Sequence, residues 1–235
     1  VMKKLIFTVM ALVACHTMQA QYFCSENGAQ LHYVNYDGSG QSVSNETATV
    51  VNVSNEGSMK RAQYLTKIVN NKAKNNTSYT LFDWSYDGAN TVCMEDLAYG
   101  PYIKGNSDPE KYDTAARTVY REEMKYEGDN SFTLSNEAKP GMTMPDRSFS
   151  AILNSLRNEI NVSGAAYMGT EMVSTTAGKF NCLKISYLHR KKVVLKTTTW
   201  RVTEWYAVGV GLVKSEAYDT KGRLAAKTLL VKVVK

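Results

Sequence analysis

The sequence predicts an all-β protein, built as a single antiparallel sheet that is curled or partly open and β-barrel-like, with one or two short helices. Turn signals occur at short intervals, and the segments between them are rich in residues that pack well on a pleated surface. An apolar share of 43% is too high for a disordered chain. The turn signals are Asp37-Gly38-Ser39-Gly40, Asn55-Glu56-Gly57, Asp87-Gly88, Glu127-Gly128-Asp129, Lys139-Pro140-Gly141 and Lys221-Gly222.

Segments between these turns are predicted as strands, because they combine β-branched and aromatic residues with turn signals at their ends. Consecutive strands joined by Gly-containing turns favour a meander of antiparallel neighbours. We expect the region from Lys179 to Val234 to form consecutive hairpins. The predicted strands run from Gln30 to Tyr36, Glu46 to Ser54, Tyr79 to Tyr86, Phe180 to Leu188, Val193 to Tyr206, Leu212 to Tyr218 and Leu224 to Val234.

Two segments carry weak helical patterns. Asp108-Pro109-Glu110 is typical of a helix start, and residues 109 to 125 would then place Tyr112, Ala116, Val119 and Tyr120 on one stripe. Phe149, Ile152, Leu153 and Leu156 have the spacing of one short helix. A twisted strand would also accommodate either segment.

The first residues are typical of an export signal. Lys3 and Lys4 precede an apolar run from Leu5 to Ala14, which is too short to span a bilayer. One interpretation is a signal peptide of residues 1–20, which leaves residues 21–235 as a single β domain. The alternative is a lipoprotein signal of residues 1–14, with Cys15 lipidated. Either version predicts an exported protein whose mature chain lacks a transmembrane segment, in the periplasm or cell envelope or, in the second case, anchored by lipid.

Charge argues against a nucleic-acid partner. The chain has 28 Lys and Arg against 22 Asp and Glu, and removal of Lys3 and Lys4 leaves 26 − 22 = +4. Seven basic residues and no acidic one lie between Glu171 and Glu204, which indicates a surface for an anionic or amphipathic ligand or for an envelope protein. The candidate surface residues are Arg190, Lys191, Lys192, Lys196, Arg201, Trp200, Trp205 and Tyr206. The alternative is a solvated hairpin with Arg190-Lys191-Lys192 at its tip, and aromatic residues that fill a core.

No catalytic, cofactor-binding or metal-binding pattern is found. Cys182 and His189 are seven positions apart on a predicted strand, and an odd separation places them on opposite faces. Gly209-Val210-Gly211 precedes a strand, so a bend is expected there instead of a dinucleotide loop. After export the cysteines would be Cys24, Cys93 and Cys182, and either one disulfide among them or buried thiols is expected.

The C-terminal half resembles a known family. Val173 to Tyr187 matches a T-x-A-G-x-F-x-C-x-K-I-x-Y signature, and Thr203 to Asp219 matches an E-W-Y-x-x-G-V-G-x-V-K-S-E-x-Y-D block. A turn like the family's G-x-x-L-x-D turn lies at Pro140 to Asp146. These blocks are similar to the TapB-like family, exported envelope proteins of Gram-negative bacteria grouped as a domain of unknown function. The resemblance implies an all-β, open or curled antiparallel sheet and no assigned enzymatic activity.

The sequence therefore predicts a non-enzymatic envelope protein with a structural or partner-binding role. The alternative is a carrier or binding protein that holds a lipid or another amphipathic ligand in a cavity of the sheet. Two structural features would shift this prediction. A cavity above about 300 Å³ would favour the carrier, and a cleft holding two convergent carboxylates with a raised pKa would favour an enzyme.

Overall fold

The computed structural model describes residues 20–71, 77–99, 125–153 and 156–235. These residues form one sheet of thirteen antiparallel strands and contain no helix. The strands are β1 (Gln30–Asp37), β2 (Ser42–Glu56), β3 (Met59–Asn70), β4 (Thr77–Tyr86), β5 (Asn90–Tyr99), β6 (Lys125–Gly128), β7 (Ser131–Ser135), β8 (Arg147–Leu153), β9 (Leu156–Thr175), β10 (Gly178–Val193), β11 (Lys196–Ala207), β12 (Gly211–Tyr218) and β13 (Leu224–Val234).

The sheet is two meanders joined side by side. The strand order is β6-β8-β9-β10-β11-β12-β13-β1-β2-β3-β4-β5-β7, so sequence neighbours pair from β8 to β13 and again from β1 to β5. The last strand joins the two meanders by pairing with the first, with Gln30 opposite Val234. The all-β class and the consecutive hairpins from Lys179 to Val234 are confirmed.

The sheet curls until its two edges meet. Strands β6 and β7 are at opposite edges of the sheet, yet only Asp129 and Asn130 separate them in sequence. The residue before the linker is Gly128, whose φ of +89° favours glycine. A side chain would also not fit there, because an added Cβ would lie 2.2 Å from the backbone oxygen of Ser148. We call the line along which β7 faces β8 and residues 141–147 the seam.

Side chains connect the two sides of the seam. Arg147 donates to the backbone oxygen of Ser131 at 2.6 Å. The Tyr167 hydroxyl accepts from the Ser135 amide at 3.0 Å and donates to the Thr133 carbonyl at 3.2 Å. No backbone ladder joins β7 to β8 among the described residues. The seam is therefore held by a few side chains, whereas adjacent strands elsewhere share continuous backbone hydrogen bonds.

One end of the curled sheet is closed by the segment of residues 20–29, and we call it the closed end. The amide of Gly209, in the turn between β11 and β12, donates to Gln21 at 2.7 Å. Phe23 is fully buried and stacks on Trp84 with ring centroids 5.9 Å apart. Tyr64 donates to the Cys24 carbonyl at 2.6 Å. The largest group of buried apolar side chains collects around these residues, so most of the core lies at this end.

The helix predicted around Phe149 to Leu156 is wrong. Those residues belong to β8 and β9, which pair with each other from Arg147 opposite Val162 to Leu153 opposite Leu156. Strand β8 also pairs with β6. Ladders on both sides satisfy its backbone groups, and this tertiary pairing overrides a weak local helical spacing. The helix predicted for residues 109–125 lies outside the described residues except Lys125, which begins β6. Residues 1–19, including Cys15, are outside them as well.

Candidate ligand-binding cavity

A cavity of about 640 Å³ lies inside the curled sheet, beneath the seam. Its wall takes side chains from most strands, and its outer side is formed by residues 129–135 and 142–147 from the two sides of the seam. Several of these seam residues are exposed, including Thr133, Met142 and Thr143. The seam is therefore where the cavity approaches solvent.

Aromatic rings form the floor of the cavity toward the closed end. Trp84 lies at their centre, with ring centroids 5.9 Å from Phe132, 6.2 Å from Tyr64 and 6.4 Å from Tyr206. Phe132 and Tyr206 are 5.7 Å apart. These spacings are the ones at which aromatic pairs stabilise each other. The floor is thus a rigid apolar surface contributed by strands that are distant in sequence.

A first polar group in the wall is built around Glu204. Its carboxylate accepts from the Tyr206 hydroxyl at 2.9 Å and is also hydrogen bonded by Tyr187. Burial raises the pKa of Glu204, while these hydrogen bonds and the charge of Arg147 oppose the rise. Glu204 lies deep in the molecule and keeps part of its surface exposed to the cavity.

A second polar group lies on β1, β2 and β3. Asn35 donates to Glu46 at 3.3 Å and accepts from Thr228 at 2.6 Å. Burial raises the pKa of Glu46, and no cation among the described residues pairs with it. The neighbouring Thr66 hydroxyl is buried and has no hydrogen-bond partner within the described part of the chain. A buried polar atom without a partner is costly, which indicates a place for a polar group of a ligand or a water.

Arg147 and His189 line the cavity on the seam side. Besides its bond across the seam, Arg147 holds its guanidinium 5.1 Å from the centre of the Phe132 ring. Burial, and then the charges of Lys191 and Arg147, lower the pKa of His189, so its ring is neutral at neutral pH. The lining therefore carries the carboxyl groups of Glu46, Glu204, Asp129 and Asp146, one fixed cation and one neutral imidazole.

The predicted aromatic residues are split between the two faces of the sheet. Tyr206 lines the cavity, as does Tyr187. Trp200 lies beyond the cavity, against His189 with ring centroids 5.7 Å apart. Trp205 is on the other face, buried between the Nζ atoms of Lys184 and Lys214, which are 5.1 and 4.3 Å from its ring. The period of two along β11 places alternate residues on opposite faces.

The basic residues do not form one patch. Register places Arg190, Lys192 and Arg201 on the outer face of the β10–β11 hairpin and Lys191 and Lys196 on the other. The prediction that Arg190-Lys191-Lys192 forms the hairpin tip is wrong, because all three lie within β10. Strand β10 continues to Val193 with a partner on each side, and the turn is Val194-Leu195.

The three cysteines in the described residues, Cys24, Cys93 and Cys182, are buried thiols and form no disulfide with one another. Burial, with the carboxylate of Glu171 nearby, raises the pKa of Cys182 to about 12, which leaves its thiol protonated and a poor nucleophile. In the described residues no cluster of His, Cys, Asp and Glu has the arrangement of a metal site. The same part of the chain has no helix suited to crossing a bilayer.

Sequence reasoning missed the polar residues Glu46, Thr66 and Arg147. A signal for the glutamates was present in the sequence. Glu204 shares a strand face with the apolar residues Val202 and Tyr206, and Glu46 shares one with Ala48. A carboxylate at a core-facing strand position is unusual enough to suggest a site. Arg147 and Thr66 carried no such signal, because their roles depend on the seam and on the curl of the sheet.

Comparison with models of known families identifies the family of this chain. A family model described as DUF3108-like matches residues 26–230. The chain belongs to the DUF3108-like family. The TapB-like name given to the sequence resemblance is not the one that matches, so it is not confirmed. A comparison with curated proteins gives no match.

Two solved structures are similar to this DUF3108-like chain over nearly its whole length. A candidate exported protein of Bacteroides fragilis, described as having a YmcC-like fold, is 20% identical, with a TM-score of 0.68, and the match covers 92% of this chain and 100% of the other. A candidate lipoprotein of Parabacteroides distasonis is 18% identical, with a TM-score of 0.70 and 92% and 99% coverage. At these identities the two structures establish the fold alone.

Proposed function

We propose that this protein is an exported, non-enzymatic binding protein that holds a small amphipathic molecule, such as a lipid, inside the curled sheet. The cavity of about 640 Å³ carries the proposal, because it falls within the usual size range of small-molecule sites and combines an apolar floor with a few polar groups. The predicted export signal, either a signal peptide of residues 1–20 or a lipoprotein signal of residues 1–14, supports an envelope location.

The polar groups indicate the chemistry of the ligand. The apolar body would lie on Trp84 and Phe132, and its polar head would reach Glu46, next to the buried Thr66. A carboxyl group without a cationic partner accepts hydrogen bonds or binds a cation. We therefore expect a ligand whose head donates hydrogen bonds, such as a hydroxyl, amide or amine.

The arrangement of the carboxylates supports binding over hydrolysis. Both glutamates line the cavity and have a raised pKa, the combination that would favour an enzyme. However, neither glutamate is among the causes of the other's shifted pKa, as it would be if the two were close enough to act as a hydrolytic pair. Each glutamate also has its own partners, Asn35 for Glu46 and Tyr206 for Glu204.

The test is mass spectrometry of small molecules that remain bound to the protein purified from its native envelope. The wild type is expected to carry a reproducible amphipathic molecule. Ala48→Phe, which fills the cavity beside Thr66, should lose it, and Ala226→Phe at an exposed position of β13 should retain it. Circular dichroism verifies that both variants are folded. A wild-type protein without bound ligand, or equal amounts of ligand on both variants, would contradict the proposal and favour the structural or partner-binding role instead.

A further inference from the structure

The tip of the β10–β11 hairpin is the most apolar exposed turn among the described turns at its end of the sheet. Strand β10 ends at Val193, β11 begins at Lys196, and two residues form the turn between them. Leu195 is 96% exposed, the largest value for a large apolar residue in the described chain, and Val194 is 60% exposed. We call Val194 and Leu195 the hairpin tip. These two apolar side chains are adjacent and both extend into solvent.

The residues of the tip are not explained by the needs of a turn. Two-residue hairpins favour Asn, Asp and Gly, because they require positive φ angles. Two other turns at this end are longer than two residues and use Asp and Gly, at Asp37 to Gly40 and at Asp219 to Gly222. Val194 instead adopts a φ of +53°, which is sterically unfavourable for a β-branched residue. The hairpin tip is thus unfavourable in two respects: the backbone conformation of Val194 is strained, and two apolar side chains are exposed to water.

Positive charge surrounds the tip on both faces of the hairpin. Lys191 and Lys196 lie on one face, and Arg190 and Lys192 on the other. Among the described residues, the acidic residue that pairs with this basic group is Glu159, whose carboxylate is 3.4 Å from Lys192 and also binds Arg157. Charge on all sides suits an extended anionic surface that meets the hairpin end-on. A protein pocket would more naturally contact one face.

On one side the hairpin projects beyond its neighbour, whereas on the other β9, which begins at Leu156, pairs with β10 up to Val193 opposite Asn158 and reaches the level of the tip. Pairing between β11 and β12 begins at Arg201 opposite Tyr218, so the five residues from Lys196 to Trp200 extend past β12. At about 3.3 Å per residue this overhang is about 16 Å. Interfacial elements bury themselves about 5 to 10 Å into the boundary of headgroups and acyl chains, so the tip can reach that depth before β12 meets the headgroups.

We propose that the hairpin tip inserts into the interface of a bilayer that contains anionic phospholipids, and that the surrounding basic side chains bind the phosphate groups. Leu195 and Val194 enter the apolar boundary, while Lys191 and Lys196 remain at headgroup level. The proposal does not depend on a ligand in the cavity. It places the closed end, where residue 20 lies, at the far end of β10 from the membrane, about 50 Å away for a strand of sixteen residues.

The test uses a polarity-sensitive fluorophore on the protein purified as the cell exports it. Leu195→Cys can be labelled selectively, because Cys24, Cys93 and Cys182 are buried. Val208→Cys is the matched control, since Val208 is exposed in a turn at the closed end. With vesicles containing phosphatidylglycerol, the label at 195 is expected to shift to a blue emission that high salt reverses. The label at 208 should not shift, and neutral phosphatidylcholine vesicles should have little effect on either.

A lysine variant measures the electrostatic contribution to vesicle binding. Lys196→Gln is expected to weaken vesicle binding about fivefold, the effect of one basic residue near an anionic surface. Lys139→Gln, at an exposed turn outside this hairpin, should leave it unchanged. An unshifted emission at 195 with anionic vesicles overturns the proposal and leaves a protein partner as the occupant of the tip. Equal shifts at 195 and 208 overturn it as well, because they would indicate attachment that does not involve the tip.

Discussion

The closed end and the seam enclose the same cavity by different means. At the closed end, Phe23, Trp84 and Tyr64 pack against one another in the densest part of the core. At the seam, the two edges of the sheet are connected by the side chains of Arg147 and Tyr167 and by a short linker. The comparison suggests a division of roles. Buried aromatic packing is hard to open, whereas a few hydrogen bonds can break locally and admit a ligand.

The largest effect is expected at the closed end. Phe23→Ala removes a fully buried ring from the stack on Trp84 and should lower the free energy of unfolding by about 3 to 5 kcal/mol. Urea unfolding followed by tryptophan fluorescence measures the loss. Met172→Ala is the control, because Met172 is 62% exposed and should change stability by less than about 0.5 kcal/mol. A small loss for Phe23→Ala would mean that the segment of residues 20–29 is not part of the core.

The seam should respond differently. Tyr167→Phe removes the hydroxyl that bonds to Ser135 and Thr133, with an expected loss of about 1 to 2 kcal/mol. The same variant should exchange a cavity-bound fluorescent probe faster than the wild type, since the edges separate more easily. Tyr218→Phe, whose hydroxyl donates to Glu216 away from the seam, is the control for both measurements. Unchanged probe exchange in Tyr167→Phe would exclude the seam as the entrance.

The cavity wall should make stability depend on pH. Burial raises the pKa of Glu46, so the folded protein keeps a proton that the unfolded chain releases near pH 4.5. The contribution of Glu46 is fully present below that value and is lost as pH rises through the folded pKa. Glu46→Gln should therefore remove this contribution, while Glu204, whose pKa is also raised, still lowers stability as pH rises, and His189, whose pKa is lowered, acts in the opposite direction. Urea unfolding at several pH values measures this, with the exposed Glu137→Gln as control.

The smallest expected effect is the difference in stability between variants of two arginines. Arg157 makes exposed ion pairs with Glu127 and Glu159, and Arg157→Ala should cost at most about 0.5 kcal/mol. Arg147→Ala removes a bond to a backbone carbonyl and a contact with Phe132, and should cost about 1 to 2 kcal/mol. Thermal unfolding in low and high salt compares them, because salt screens only the exposed pairs appreciably. Equal losses would show that Arg147 is no more important to the seam than a surface ion pair.

Local sequence determined most of the strand-and-turn pattern. The predicted strand from Leu224 to Val234 matches β13 at both ends, and the first predicted strand differs from β1 by one residue. The period of two along β11 places Glu204 and Tyr206 on one face and Trp205 on the other. These features could be predicted because turn chemistry and a period of two are properties of a few consecutive residues.

The seam and the cavity were decided only by the tertiary structure. Nothing local in Ser131 to Ser135 indicates that β7 pairs with β5 while the preceding β6 pairs with β8 at the other edge of the sheet. The same long-range pairing turned the helical spacing around Phe149 into two strands. Strand pairing depends on partners far away in the chain, and curvature accumulates over thirteen strands. Short segments therefore encode where the strands are, and only the closed curl brings Glu46, Glu204 and Arg147 to one cavity.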